Sequence, residues 1–506
     1  MTKQRANGIL IHLTSLPGPY GIGDINSGLD FIDFLREGGQ SYWQLLPLTP
    51  GTEFFDYSPY MAMSALAGNP LLISPDLLIA DRLIDKEDIP PDPGFLEYRV
   101  KYSLATPFKE EILRRAFSGF KAKINLQKDF QHFCDQHGWV DDYALFQALK
   151  KKYESKPWYQ WPDELVRRNS EALQKTAKEL SEELDFHKFT QFIFFRQWDL
   201  LKKKAAEKEI SLVGDIPIYV SLDSADVWAN QYSFDLDRKT FEPRHVAGVP
   251  PDYFSKTGQR WGNPLYLWGT AKKPNKELED WWRLRFRTIA ECLDVVRIDH
   301  FQAFAFYWEV PWEEKTAVNG KWKKGPGVSF FKRISDSIRD LSIIAEDLGM
   351  YNEEVSRLCH KLGYPGMKVL QFAFDSDPHN LHLPHNFGHD NWVVYTGTHD
   401  NDTTVGWYLD PEVPEKAKQQ ARRYCNSDGS IINQDFIRLA QSSAAWLAVI
   451  PMQDVCSLGS DCRMNLPGEE KGNWRWRCPS HFLSPENSDY LRDETGFYAR
   501  LAWNRK

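Results

Sequence analysis

The stretch DVVRIDHF, residues 294–301, combines a buried-strand composition with four ionisable side chains. Val295, Val296, Ile298 and Phe301 are strand formers, yet Asp294, Arg297, Asp299 and His300 sit among them. Burying charge is costly unless the charges are paired or in use. In a strand, residues two apart share a face, so Arg297 and Asp299 point the same way. A guanidinium beside a carboxylate favours the ionised form, which suits a nucleophile. A structural ion pair at a strand end would leave the same pattern. The rest of the chain has to decide between the two.

Seven further runs share this character: GILIHLTSL (8–16), SYWQLLPL (41–48), LVGDIPIYV (212–220), SIIAEDLG (342–349), GMKVLQFAF (366–374), NWVVYTGTHD (391–400) and LAVIPMQDV (447–455). Between most of them lie helix-like segments, such as 27–39, 352–363 and 435–446. Strands that alternate with helices imply parallel βαβ units. Continuously apolar runs fit strands covered on both faces. Eight such units predict an α/β fold, a (β/α)8 TIM barrel.

Two spacings exceed plain crossovers, over 160 residues from Leu48 to Leu212 and over 70 from Val220 to Leu293. Residues 1–506 therefore read as a single catalytic barrel domain with inserted subdomains. Residues 49–210 form a mostly helical insertion after strand 2. Its Lys- and Glu-rich stretches at 108–124 and 170–189 read as helices with solvated charged faces. Residues 221–290 form a second insertion. Within it, 247–268 is rich in Gly, Pro and aromatics and lacks periodicity, which marks a long functional loop with a lid at 247–256.

The bulk composition narrows the function. A net charge of −8 argues against nucleic-acid and membrane-surface partners. No apolar run approaches the ~18 residues of a membrane span, and MTKQRANGILIHL lacks a signal-peptide pattern, so a cytoplasmic location is expected. Seven scattered cysteines without a C-x-x-C pair predict neither a disulfide framework nor a zinc site. No calcium loop or other metal site is apparent, no phosphate or dinucleotide fingerprint occurs, and no cofactor is implied. The nineteen Trp include surfaces suited to sugar rings, although most aromatics in any chain are core.

In a barrel of this kind the C-terminal strand ends carry the chemistry. Here they bear Asp215, Arg297, Asp299, His300, Glu346, Asp347, His399 and Asp400. Several carboxylates converging on one face go beyond what simple ion pairing requires. Two carboxylates with opposed tuning are what glycoside chemistry needs. Asp299 beside Arg297 is the candidate nucleophile. Glu346 follows the apolar run Ile343–Ala345, so its pKa should be raised, as an acid/base requires. Asp400, beside His399, is placed to favour an oxocarbenium-like transition state.

These motifs, with ILIHLTSLPGPYGIGD (9–24), SPYMAMSALAGNPLLIS (58–74), PPDYFSKTGQRWGNPLY (250–266) and RMNLPG (463–468), resemble the 4-alpha-glucanotransferases. These enzymes, also called amylomaltases or disproportionating enzymes, form glycoside hydrolase family 77, relatives of the alpha-amylases. The resemblance spans nearly the whole chain. It implies a retaining transglycosylase with no separate C-terminal β-domain, and carboxyl groups roughly 5–5.5 Å apart. It assigns Asp299 as nucleophile, Glu346 as acid/base and Asp400 as transition-state stabiliser. Asp215, Arg297, His300 and His399 would hold the sugar and Tyr60 would stack near it. Tyr253 and Phe254 would touch glucan from the lid, and Trp261 and Asn263 would line the groove further on, as would Asn465. The expected partners are malto-oligosaccharides and amylose-type or glycogen-derived glucans; the oligomeric state is left open. Two departures, Gln302–Ala303 and Phe306, bear on chain-length preference or rate.

Competing readings stand beside these. His300 and His399 can be core histidines, the aromatics packing residues, and NLPG at 465–468 a turn. His12 and Asp347 read as supporting rather than catalytic. A hydrolase would use the same carboxylates with water as acceptor, and a non-catalytic glucan-binding protein would keep the barrel but lose a carboxylate; all three are present.

Overall fold

A computed structural model of the chain describes residues 4–251, 255–349 and 352–501. Eight parallel strands form a nearly closed barrel. They are β1 (Ala6–Leu10), β2 (Tyr42–Gln44), β3 (Ser211–Pro217), β4 (Val295–Asp299), β5 (Ser342–Ala345), β6 (Gly366–Val369), β7 (Trp392–Tyr395) and β8 (Leu447–Pro451). In space the order is β6–β7–β8–β1–β2–β3–β4–β5. The open seam between β5 and β6 is bridged where the Ala345 N–H donates to the Pro365 carbonyl at 2.9 Å. Every residue of β1, β6 and β8 is buried, the pattern of strands covered on both faces. The sequence runs extend past these strands into the loops that follow. At Gly8 the closeness of β1 to β2 leaves no room for a side chain, since a Cβ there would lie 2.6 Å from Tyr42 Cβ.

Between β2 and β3 the chain builds a helical layer that includes α1 (Tyr102–Phe120), α2 (Ile124–Gln136), α3 (Trp139–Lys152), α4 (Ser170–Glu179) and α5 (Ser181–Glu207). The stretch 170–189 is two helices, not one, because the backbone turns at Leu180 (φ −104°, ψ 20°). The long helix α5 buries an aromatic stripe of Phe186, Phe189, Phe192 and Trp198. Two of its buried glutamines each make a pair of hydrogen bonds to the preceding loop, Gln191 with Gly68 and Gln197 with Ser74.

The expectation of solvated charged faces needs one correction, at Lys109. Its ammonium is 1 % exposed, 3.0 Å from Asp24 Oδ2 and 2.8 Å from the Ile73 carbonyl. Lys109 lies on the same stripe as Ala105, Ile112 and Ala116, which are buried, so it enters the interior and needs a counter-charge. Asp24 also accepts the Asn26 and Ser27 N–H groups at the start of the helix Ile25–Glu37. The more exposed charges do pair at the surface, Arg114 with Glu183 and Lys121 with Glu182.

A second correction concerns 247–268, expected to lack regular structure. Strands His245–Val249 and Gln259–Pro264 instead join Phe306–Pro311 and Lys321–Lys324 in a four-stranded antiparallel sheet. The period-two signal is hidden by glycine and a register shift. Gly248 has the Gln259 carbonyl where its Cβ would be, 2.3 Å away, and the pairing slips between Val246 and Gly248. Phe306 sits in this sheet and packs edge-on against Trp322 at 5.0 Å.

After β8 the last helix among the described residues is Pro485–Phe497, and no strand follows β8 among them. Thr495 on that helix accepts from Asn7 and Gln40, and buried Arg500 donates to the carbonyls of Ala6, Gln441, Ser443, Ala445 and Trp446. These contacts seal the N-terminal end of the barrel. The seven cysteines carry free thiols. Among the described residues, no helix is long and apolar enough to cross a membrane.

Candidate active site

Arg297 organises the centre of the site. It pairs in register with Asp215 of β3, and alternation on β4 puts Asp299 on the same face. The guanidinium is 3 % exposed, donating to Asp215 Oδ2 at 2.6 Å and lying 2.9 Å from Asp299 Oδ1. Asp215 has no exposed side-chain surface, whereas Asp299 keeps 30 %. Of the two carboxylates on this guanidinium, only Asp299 opens to the cleft. Burial raises the Asp215 carboxyl above its usual range against the pull of Arg297.

Ile298 faces Ala345 in register, so Asp299 and Glu346 leave neighbouring strands at matching heights. The Glu346 N–H donates to the Ile298 carbonyl at 3.1 Å. Its carboxyl group accepts the N–H of His300 at 2.7 Å on Oε2 and that of Leu348 at 2.7 Å on Oε1. Burial is the main reason that the Glu346 carboxyl is pushed up to about 8, and the nearby Asp299 charge adds to it. His300 turns the chain into the left-handed region at φ 51°, ψ 47°, which aims its N–H at Glu346. Its ring is half-buried, and the loss of hydration lowers its pKa to about 4.

Beyond β7 the chain is pinned by Asp454, which follows β8. Its carboxylate accepts the Thr396 hydroxyl and both the N–H and hydroxyl of Thr404. The segment held between them delivers His399 and Asp400. Asp400 accepts the Asn465 amide at 2.6 Å on Oδ1, and its Oδ2 lies 3.2 Å from His399 Nε2. Burial opposes its ionisation, but His399 and Asn465 together hold its carboxyl well below the usual carboxylate range. Reciprocally, His399 is raised, with burial outweighed by Asp400. Tyr60, from the loop after β2, closes the ring of contacts. Its hydroxyl donates to Asp215 Oδ2 at 2.9 Å and lies 2.9 Å from His399 Nε2. An unbroken chain thus runs Asp299–Arg297–Asp215–Tyr60–His399–Asp400–Asn465.

The remaining candidates are distributed around this chain. Trp261 packs edge-on against His300, ring centroids 4.8 Å apart. Asn263 is buried, its amide donating to the Val220 carbonyl at 2.9 Å. Tyr253 and Phe254 lie outside the described residues. Asp347 accepts the Met367 N–H at 2.8 Å. His12 is buried close to His399, and burial lowers its pKa to about 3.

Sequence reasoning passed over Asp454, Arg463 and Trp474. Asp454 is the next-to-last residue of the eighth run, LAVIPMQDV, three residues beyond β8, so a search of every strand end would have reached it. Arg463 donates to the Asp400 backbone carbonyl and precedes Asn465 by two residues. Trp474 packs beside Tyr60 and His399.

Along nearly its whole length the chain is similar to known proteins. A family model described as 4-alpha-glucanotransferase matches residues 11–483. The 4-alpha-glucanotransferase of Synechocystis sp. is 46% identical over 513 residues, covering 100% of both chains. That of Thermus thermophilus is also 46% identical, covering 97% of this chain and 98% of its own. The chloroplastic/amyloplastic 4-alpha-glucanotransferase of Solanum tuberosum is 44% identical, covering 98% of this chain and 87% of its own. Among solved structures, the amylomaltase from Streptococcus agalactiae in complex with acarbose superposes with a TM-score of 0.91 at 36% identity, covering 98% of this chain and 100% of that one.

Proposed function

This chain belongs to the 4-alpha-glucanotransferase family, and from that premise we propose how its residues move a glucan segment from one chain to another. It is a transferase acting on 1,4-alpha-glucans. Asp299 attacks the anomeric carbon while Glu346 gives its proton to the departing 4-oxygen. The glycosidic bond breaks, an ester to Asp299 forms, and the reducing-end fragment leaves with a free 4-hydroxyl. Glu346, now a carboxylate, takes the proton of an incoming 4-hydroxyl as that oxygen displaces Asp299. Two inversions give net retention.

The observation that carries this reading is the contrast between two carboxyl groups at matching heights on adjacent strands. One faces a guanidinium and opens to the cleft; the other is buried, with its pKa pushed up to about 8. Asp400, kept ionised by His399 and Asn465, offers a negative charge to the oxocarbenium-like transition state. Arg297, Asp215, Tyr60, His399 and His300 hold the sugar at the cleavage point. Tyr253 and Phe254 contact glucan from the lid, and Trp261 and Asn263 line the groove further along.

Transfer requires a sugar acceptor to outcompete water at ~55 M, and a lid over the cleft is the device. Residues 247–256 are assigned that part. The chain acts as one catalytic unit, 1–506, with 49–210 as its helical insertion and 221–290 carrying the lid. Malto-oligosaccharides and amylose-type or glycogen-derived chains are the substrates, and the cytoplasm the place of action.

Incubation with maltotriose alone tests the reading. Glucose plus a ladder of longer maltodextrins, at constant total reducing ends, supports transfer. Rising reducing ends without longer chains would make the protein a hydrolase of the same glucans, and an unchanged substrate would leave a glucan-binding barrel.

A further inference from the structure

One residue beside the site stands in a conformation that its side chain disfavours. Trp474 has φ 61°, in the left-handed region. A bulky side chain there is strained, and such strain persists only where the surroundings over-determine it. The surroundings are explicit. The Trp474 N–H donates to the Met464 carbonyl at 2.8 Å, and its own carbonyl accepts the Tyr102 hydroxyl at 3.0 Å. On either side, Gly472 donates to Asp56 Oδ2 at 2.7 Å and Arg475 pairs with Asp56. The Val100 N–H donates to the Arg475 carbonyl at 2.7 Å, and Arg99 bridges Trp476. Residues 472–476 are therefore a strap tied to the helical insertion through Asp56, Arg99, Val100 and Tyr102.

The strap turns the Trp474 ring inward, where it is only 7 % exposed. There it meets two members of the polar chain. Its centroid is 5.6 Å from Tyr60 and 6.0 Å from His399, while Tyr60 and His399 stack on each other at 5.2 Å and 14°. The Tyr60 hydroxyl and His399 Nε2 are the two atoms that join Asp215 to Asp400. The third ring closes a triangle and removes the free space into which either of the other two could tilt.

We propose that Trp474 is a positioning residue for glucan transfer. Held by the strap in its left-handed conformation, it locks Tyr60 against His399 and so fixes Asp215 and Asp400 relative to each other. This rests on the reading of those residues as the sugar-holding set. It also gives the helical insertion a part in catalysis, since the strap's anchors belong to it.

The test is a double-mutant cycle on maltotriose disproportionation. Misplacing groups at a reacting centre by about an ångström costs ~100-fold in rate, so Trp474→Ala should lower kcat by about 10- to 100-fold, with KM changed less than about threefold. Trp474→Phe, which keeps a ring in place, should recover most of the activity. In a Tyr60→Ala background the ring that Trp474 supports is gone, and adding Trp474→Ala should cost no more than about twofold further, because coupled residues are not additive. An unchanged Trp474→Ala penalty in that background, with the wild type active, would overturn the inference and leave Trp474 a packing residue. Should Trp474→Ala fail to fold, the same cycle with Trp474→Leu gives the same reading. A wild type that leaves maltotriose untouched would overturn the functional reading, and this inference with it.

Discussion

The backbone N–H of His300 donates to Glu346 Oε2 at 2.7 Å, from a residue whose φ of 51° is left-handed. The chain that carries Arg297 and Asp299 thus reaches across to orient the Glu346 carboxyl at the end of the next strand. The turn after β4 therefore fixes the Glu346 carboxyl beside the strand that bears Asp299, and in the proposed mechanism nucleophile and acid/base are built as a unit.

The pH dependence should follow from Glu346. Its acid form is needed in the first half-reaction, so kcat/KM should fall as pH rises through about 8. Glu346→Gln should flatten that limb while lowering kcat by ~100-fold or more, since general acid–base catalysis contributes that much. A pH–rate profile of maltotriose turnover checks both.

The same group makes a stability prediction. Its folded pKa is raised above the unfolded value, so its contribution is fully present below the unfolded pKa near 4.5 and is lost as pH rises to about 8. Relative to wild type, Glu346→Gln should therefore gain stability progressively between these two values and no further above them. Denaturant midpoints measured from pH 4 to 9 would show it; a constant difference would count against burial as the cause.

The nucleophile can be identified directly. A glycosyl fluoride leaves without a proton donor, but return of the sugar to an acceptor still needs the base. Glu346→Ala given α-maltotriosyl fluoride should accumulate a covalent adduct. Peptide mass spectrometry should find it on Asp299, and Asp299→Asn should show none.

Tyr60→Phe should weaken the chain between Asp215 and His399. A hydrogen bond to a charged group is worth roughly 1.5–3 kcal/mol, so kcat/KM should fall by about 10- to 150-fold. The change should leave the thermal midpoint within a few degrees. Steady-state kinetics with a parallel thermal melt separates the two effects.

Lys109 predicts a loss of stability rather than of chemistry. Lys109→Met would leave Asp24 buried without its cation, which costs about 3–5 kcal/mol. Asp24→Asn combined with Lys109→Met should restore much of it. Activity per folded molecule should stay near wild type, as read by active fraction against a denaturation curve.

The order of the eight strands was legible because a strand covered on both faces is continuously apolar, and that signal is local. The alternation that puts Arg297 and Asp299 on one face is equally local, set by the geometry of the extended chain. The contact of Asp299 with Arg297 and the burial of Glu346 follow from strand identity, since each sits at the end of such a run. Lys109 was not legible, because the charge on an amphipathic helix does not say which residue falls on its inward stripe. The four-stranded antiparallel sheet was hidden for a related reason, as Gly248 and a register shift interrupt the period that identifies strands.

By itself the sequence determined the barrel class, the family and the identity of the charged residues at its strand ends. Beyond the pair of Arg297 with Asp299, only the tertiary structure decided which of them touch. Asp400 meets Asn465, Tyr60 bridges Asp215 to His399, and Trp474 closes over that bridge, all between residues far apart in the chain. Covalent geometry and periodicity act over a few residues. These contacts arise only when the barrel brings the ends of β2, β3, β7 and β8 to one rim, and no local pattern encodes that meeting.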